Sequence, residues 1–418
     1  MTRGTSDGLY PRYAEARLIE ALSDTPVVLI HGPRQCGKTT LAQIVGGRLG
    51  YAYFTFDDEV VLGAATADPV GFVADLPERV VLDEVQRVPA VFRALKASVD
   101  RQRRPGRFLL TGSTNVLLVP ALVDSLAGRL GIVRLHPLAQ CELAGERPRF
   151  LETLFKGRFG AFSTERLGRA LAERIVAGGY PAALARSAPH RRAAWYRDYL
   201  KSLVQRDVRS LARIGSLDVM PRLLSLAAGQ TARLVNIAGL AGPFTLSRPT
   251  VREYVTLLQR LFLLEELPPW HSNRLSRLIK TAKLHLGDTG LACALLGMSA
   301  DGLWEDRGLL GQLLETFVFQ ELRRQADWQT EEVRFHHFRD KDGTEVDLVL
   351  ESGPGLVAGI EVKAGATVTA ADFRGLRKLR DAVGERFRAG VVLYDGETGA
   401  AFGQALHAVP VSRLWRAP

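Results

Sequence analysis

The sequence predicts an α/β chain: a parallel sheet covered by helices, then a helical region, then a second α/β block. Three observations predict it. Through the first ~145 residues short β-rich runs alternate with helical spacing, the pattern of parallel strands joined by crossover helices. Between Arg191 and Lys283, 16 Lys and Arg face 6 Asp and Glu, and this excess of 10 equals the net charge of +10. Beyond Asp301 one strong helix at 309–325 precedes strand-like runs at 333–339, 345–350, 359–362 and 389–393.

Length and composition bound the rest. At about 100–200 residues per domain, 418 residues give two to four domains. The pattern divides them as residues 1–190, 191–300 and 301–418, with no repeat and no low-complexity linker. Hydrophobic residues at 46% and charged residues at 24% exclude a disordered or fibrous chain. No apolar run approaches the ~18 residues of a membrane span, and the N-terminus has no apolar signal core, so neither membrane nor export is expected. Cys36, Cys141 and Cys293 make no metal-ligand spacing and no even disulfide set. A reducing cytoplasm is the expected compartment.

The first strand, at 26–30, is an apolar run followed directly by Gly32-Pro33-Arg34-Gln35-Cys36-Gly37-Lys38-Thr39-Thr40 and a helical pattern through Leu49. This is the phosphate-binding loop G-x-x-x-x-G-K-[ST] in its required strand–loop–helix setting. Glycines let backbone N–H groups turn inward around phosphates. Lys38 reaches the β- and γ-phosphates of ATP, Thr39 offers a hydroxyl to Mg²⁺, and the helix N-terminus adds positive potential. A dinucleotide site is disfavoured because G-x-G-x-x-G is absent. The run 79–82 ends in Asp83-Glu84. Two carboxylates closing a buried strand are costly unless they meet a cation. Asp83 is therefore expected on Mg²⁺, and Glu84 as the acid that polarises the attacking water. The run 108–111 ends in Gly112-Ser113, which leaves Thr111 or Ser113 either to sense the γ-phosphate or simply to cap the following helix.

With those motifs in hand, residues 9–140 resemble the AAA-like P-loop ATPases of bacteria and archaea, of the ASCE type. The resemblance rests on Tyr10-Pro11-Arg12, the loop Gly32 to Thr40, Leu82 to Gln86, Leu110 to Ser113, Leu126 to Arg129 and Pro137-Leu138. It continues through Trp195 to Val208 and Asp288 to Leu291, and so covers essentially the whole chain. It implies Arg129 as a transition-state arginine, in cis or in trans, with a surface ion pair as the alternative. Cys36 stands where such loops often carry Val or Ser, a tolerable departure because only the backbone at that position meets phosphate.

The middle block begins with an amphipathic helix at 195–214 carrying Arg197, Lys201, Arg206, Arg209 and Arg213. Residues 234–270 then read as a winged helix-turn-helix. A short helix at 235–240 and a break at Gly242-Pro243-Phe244 precede a second helix capped by Ser247 or Thr250, with Arg248, Arg252 and Arg260 near or along it. DNA is the partner this basic segment suggests; a solvated Arg-rich surface and a protein partner or homo-oligomer are the alternatives.

In the last block Glu345 and Asp347 project from one strand face, and Glu361 and Lys363 from another. Adjacent strands would gather Asp347, Glu361 and Lys363, which resembles the PD-(D/E)xK nuclease pattern, with Glu315 on the preceding helix completing it. Two carboxylates would hold a metal and Lys363 would orient water. The expected function is thus a cytoplasmic Mg²⁺-ATPase acting on DNA. The alternatives are a nucleotide-dependent binding switch with little turnover and an ATP-gated nuclease.

Overall fold

The computed structural model describes residues 9–112, 126–205, 219–244, 246–271, 281–353 and 355–416. The described chain forms two compact units, one of Pro11–Leu138 with Arg260–Phe262, the other comprising the remainder. The expected first block of 1–190 therefore divides near residue 138. The chain after that point is tied to distant parts of the second unit: the Gln140 N–H donates to Glu321 at 2.9 Å, and Arg174 donates to the Gln140 side chain at 2.6 Å.

The first unit alternates α1 (Ala14–Asp24), β1 (Val27–His31), α2 (Lys38–Leu49), β2 (Ala52–Thr55), α3 (Glu59–Ala67), α4 (Pro69–Ala74), β3 (Val80–Asp83), α5 (Val91–Arg101), β4 (Phe108–Gly112) and β5 (Leu130–Arg134). All strand pairs are parallel, in the order β2-β3-β4-β1-β5. β1, β3 and β4 are buried along their whole length, as uninterrupted apolar runs demand of a sheet covered on both faces. Val27, Leu29, Val80, Leu82, Phe108 and Leu110 pack against Phe92, Leu95 and Val99 of α5. Each such side chain contributes roughly 1.5–3 kcal/mol by leaving water. Asp58 and Asp68 start α3 and α4 by accepting from the first free N–H groups, and Gly50 closes α2 in the left-handed conformation.

In the second unit seven strands take the order β10-β11-β12-β13-β15-β14-β6. They are β6 (Phe162–Ser163), β10 (Val333–Arg339), β11 (Glu345–Ser352), β12 (Leu356–Lys363), β13 (Phe387–Tyr394), β14 (Thr398–Ala401) and β15 (Leu406–Pro410). β10 to β12 are antiparallel, while β13 runs parallel to both β12 and β15. β6, β14, β15 and the helix Arg374–Val383 were not anticipated; β6 is only two residues long, too short for periodicity. A separate antiparallel sheet has the order β7-β9-β8, from β7 (Arg233–Leu234), β8 (Leu264–Leu267) and β9 (Lys283–Leu286). Helices Ile237–Ala241 and Arg248–Arg260 lie between β7 and β8; Asn236 caps the first, and the Ser247 hydroxyl accepts from the Thr250 N–H at 3.2 Å to cap the second.

The helix expected at 195–214 starts earlier, at Pro189, whose fixed φ suits a first helical position, and runs to Leu203. Arg206 to Val208, Arg209 and Arg213 fall outside the described residues. Asp288 of the Asp-Thr-Gly-Leu stretch is fully buried and structural. It caps the helix Thr289–Leu296 by accepting from the Leu291 N–H at 3.1 Å. It also accepts from the Gly179 N–H at 2.8 Å and the Tyr196 hydroxyl at 3.0 Å, with Arg324 at 3.7 Å. A buried carboxylate needs such partners. A β-carbon on Gly178 would meet the Tyr196 hydroxyl and Asp288, which accounts for glycine at that turn.

Candidate nucleotide-binding site

The C-terminal end of β1 delivers the loop Gly32 to Thr39 onto the N-terminus of α2. Gly37 takes φ 101°, and Gln35 is left-handed at φ 58°. A β-carbon on Gly32 would run into the Leu135 carbonyl, so only glycine lets the loop begin this close to β5. Lys38 is buried and folds over the loop, donating to the carbonyls of Gly32 at 3.1 Å and Pro33 at 2.7 Å. The Cys36 thiol is buried toward the Leu135 carbonyl at 3.4 Å, whereas Gln35 and Thr40 are exposed.

Asp83 is held by three hydroxyls. Thr39 donates to it at 2.9 Å, Tyr53 of β2 donates at 2.8 Å, and Thr111 of β4 donates to the same carboxylate. Burial, reinforced by the bond to Asp83, pushes the Tyr53 phenol up to about 12, so it remains a donor at neutral pH. Thr111 in turn accepts the Glu84 N–H at 3.1 Å. Glu84 stands in the left-handed region at φ 59°, which turns the chain sharply off β3, and the Gln86 amide donates to its carboxylate. A non-glycine held there costs about 1–3 kcal/mol and persists only where its surroundings enforce it.

The oxygens of Thr39 and Asp83, adjacent at the loop's end, fit the hard-cation chemistry of Mg²⁺. The left-handed glycine, the start of α2 and Lys38 fit a polyphosphate. Tyr53, Gln86 and Arg12 were missed as site components. Arg12 donates to the carbonyls of Cys36 and His136, each at 2.6 Å, bracing the loop against the chain after β5. Arg12→Ala is expected to weaken nucleotide binding about tenfold, because its two bonds go to loop and β5-side carbonyls and their loss reaches the phosphates only through the looser loop. Titration with a fluorescent ATP analogue reads this directly, and unchanged affinity would assign the brace elsewhere.

Arg129 is not at this site. It immediately precedes β5, whose first residue pairs with Val27 at the start of β1, so it lies at the opposite sheet edge. Five strand residues separate that edge from the loop, about 16 Å at 3.3 Å per residue. Arg129 instead pairs with Asp100 and donates to the Ala127 carbonyl at 2.9 Å. A role in cis is therefore ruled out by the direction of the strand. Ser113 lies outside the described residues.

Comparison places the chain. The protein Rv2008c of Mycobacterium tuberculosis, described as uncharacterized, is 30% identical over 406 residues, covering 96% of this chain and 84% of that protein. Mb2031c of Mycobacterium bovis matches to the same extent. The chain belongs to their family. Within it, residues 24–144 match the AAA domain, 168–302 a domain of unknown function (DUF8612) and 310–414 another (DUF4143). The first unit is accordingly an AAA-type P-loop ATPase domain, a nucleotide-binding fold. Among solved structures, the Walker-type ATPase PABY2304 of Pyrococcus abyssi is similar at 15% identity and TM-score 0.45, covering 71% of this chain and 98% of that one.

The acidic cluster of the second unit has a different centre from the one its sequence suggests. Lys283 of β9 lies among the carboxylates, donating to Glu315 at 2.8 Å and Asp347 at 3.1 Å, with Glu345 at 4.0 Å. Asp347 also accepts the Val362 N–H at 3.0 Å. Continuing the β11–β12 register sets Asp347 opposite Glu361, and Lys363 pairs with Glu361 at 3.3 Å. Glu345 is neutralised by Arg339 at 2.7 Å. Burial opposes the charge of Lys283, yet Asp347 and then Glu315 raise its pKa above lysine's usual value. Burial, then Asp347, raises Glu361 to about 8 and shifts Glu315 the same way. Among the described residues no group of three or more His, Cys, Asp or Glu is arranged to hold a metal. The expected metal ligands Glu315, Asp347 and Glu361 thus meet ammonium groups, and the donor set does not fit a divalent ion.

Proposed function

We propose that the protein is a Mg²⁺-dependent ATPase whose turnover is coupled to DNA held by a winged-helix segment. The observation that carries the reading is the Thr39–Asp83 pair at 2.9 Å beside Lys38. In this reading the loop N–H groups and Lys38 bind the β- and γ-phosphates, and Thr39 and Asp83 hold Mg²⁺. Held there, the ion would supply positive charge to offset that of the phosphoryl group. Glu84, aimed by its left-handed backbone and by Gln86, orients the attacking water, while Thr111 holds Asp83 and the Glu84 backbone in register. The interposition of β4 between β1 and β3 supports the ASCE type. Three buried free cysteines, Cys36, Cys141 and Cys293, support a cytoplasmic setting, and among the described residues no helix is long and apolar enough to cross a membrane.

For the DNA partner, the succession of helix Val219–Gly229, β7, two helices, β8 and β9 supports the winged-helix reading. Arg248 and Arg252 are exposed on the second of those two helices, although Arg252 is 3.6 Å from Glu266. Lys283, counted within the basic segment, is buried and contributes nothing to a surface. In the C-terminal part, a helix, three antiparallel strands, a second helix and a strand parallel to the third support a restriction-endonuclease-like fold.

Phosphate release measured with and without duplex DNA tests the coupling. DNA is expected to stimulate release and to bind with a steep salt dependence; Arg248→Glu with Arg252→Glu should reduce the log–log slope by about two. No binding at low ionic strength would leave those arginines as solvated surface.

A further inference from the structure

We propose that the ammonium of Lys283 is the resident cation of the Glu315–Asp347–Glu361 cluster, so that the C-terminal sheet takes no divalent metal there and instead anchors strand β9. The first support is geometric. Lys283 is 3% exposed and donates at 2.8 and 3.1 Å to two carboxylates that come from different elements, the helix Arg307–Ala326 and β11.

The second support is that the strand cannot easily withdraw the ammonium. Lys283 and His285 project from the same face of β9, because side chains alternate along a strand. His285 meets the Thr316 hydroxyl at 3.0 Å, one residue along the helix from Glu315, and Thr316 also meets Thr231 at 2.8 Å. Gln320, a turn further on, donates to the Leu286 carbonyl. At the other end of β9 the His337 ring lies 3.1 Å from the Thr281 carbonyl. The strand is thus pinned on both sides of Lys283, and its ammonium is preorganised among the acids. A second cation at the same place would meet repulsion from a charge that has no solvent to retreat into.

The cluster then has a structural task. It joins β9, the last strand of the small sheet, to the helix and sheet of the C-terminal part, using charges that would otherwise be costly to bury. Breaking a buried pair by deleting one partner leaves the other uncompensated, so Lys283 is a positioning residue for β9 and the surrounding fold.

The test counts Mn²⁺ bound by the full chain without nucleotide, read from the electron paramagnetic resonance signal of the free ion. Wild type, Asp347→Asn and Glu361→Gln are expected to bind the same number of ions. One equivalent present in the wild type and lost in both variants would overturn the proposal. Lys283→Ala is expected to gain one Mn²⁺ that the Lys283→Ala, Asp347→Asn double variant lacks. A Lys283→Ala protein that gains no ion and melts at the wild-type temperature would also overturn it. Should Lys283→Ala fail to fold, as two uncompensated carboxylates would cause, the comparison of wild type with Asp347→Asn and Glu361→Gln decides alone.

Discussion

Lys38→Ala is expected to leave the fold intact and to reduce ATP affinity by about 10²–10³-fold. The ammonium donates only to the Gly32 and Pro33 carbonyls of its own loop, so nothing else in the described fold depends on it for a hydrogen bond. Those two bonds close the loop over itself, and a polyphosphate would exchange them for charge-assisted bonds to its own oxygens. Bonds to a charged group contribute about 1.5–3 kcal/mol each, so two of them amount to about 3–6 kcal/mol, and the lower half of that range gives the stated loss. Calorimetric titration with ATP, beside a circular-dichroism melt, separates affinity from folding. A folded Lys38→Ala protein that binds ATP as tightly as the wild type would remove the phosphate-binding role from the loop.

The loop was legible because its chemistry resides in backbone conformation, which glycine spacing encodes within eight consecutive residues. The cage around Asp83 was not. It depends on strand order: β4, inserted between β1 and β3, carries Thr111 to the carboxylate, and β2 on the other side supplies Tyr53. No local pattern announces that order. Arg129 shows the same gap in reverse, for its neighbours in sequence suggested a catalytic arginine while the parallel course of β5 sets it at the far edge. Lys283 was counted with the basic segment because charge counts ignore burial. Its partners Glu315 and Asp347 are 32 and 64 residues away, and only the docking of β9 on the helix Arg307–Ala326 reveals them. The division of the compact units near 138 was hidden for a related reason, since the anchoring contact from Gln140 spans 181 residues.

Glu84→Gln is expected to retain ATP binding and lose about 10²–10⁴-fold in turnover, the range contributed by a positioned general base. The amide matches the carboxylate in shape, so the left-handed backbone at φ 59° and the Glu84 N–H bond to Thr111 should survive the change. Asp83 keeps its own three hydroxyl donors, none of which involves the Glu84 side chain. What is removed is the anionic oxygen that Gln86 now orients, the group proposed to polarise water. Single-turnover hydrolysis of radiolabelled ATP, with affinity measured separately, distinguishes this from loss of binding. Gln86→Ala supplies the second arm: it leaves the carboxylate in place but releases its orientation, so kcat should fall less than in Glu84→Gln while ATP affinity stays level. If Glu84→Gln hydrolyses ATP at the wild-type rate, water activation belongs to another group and the strained turn after β3 serves only to end the strand.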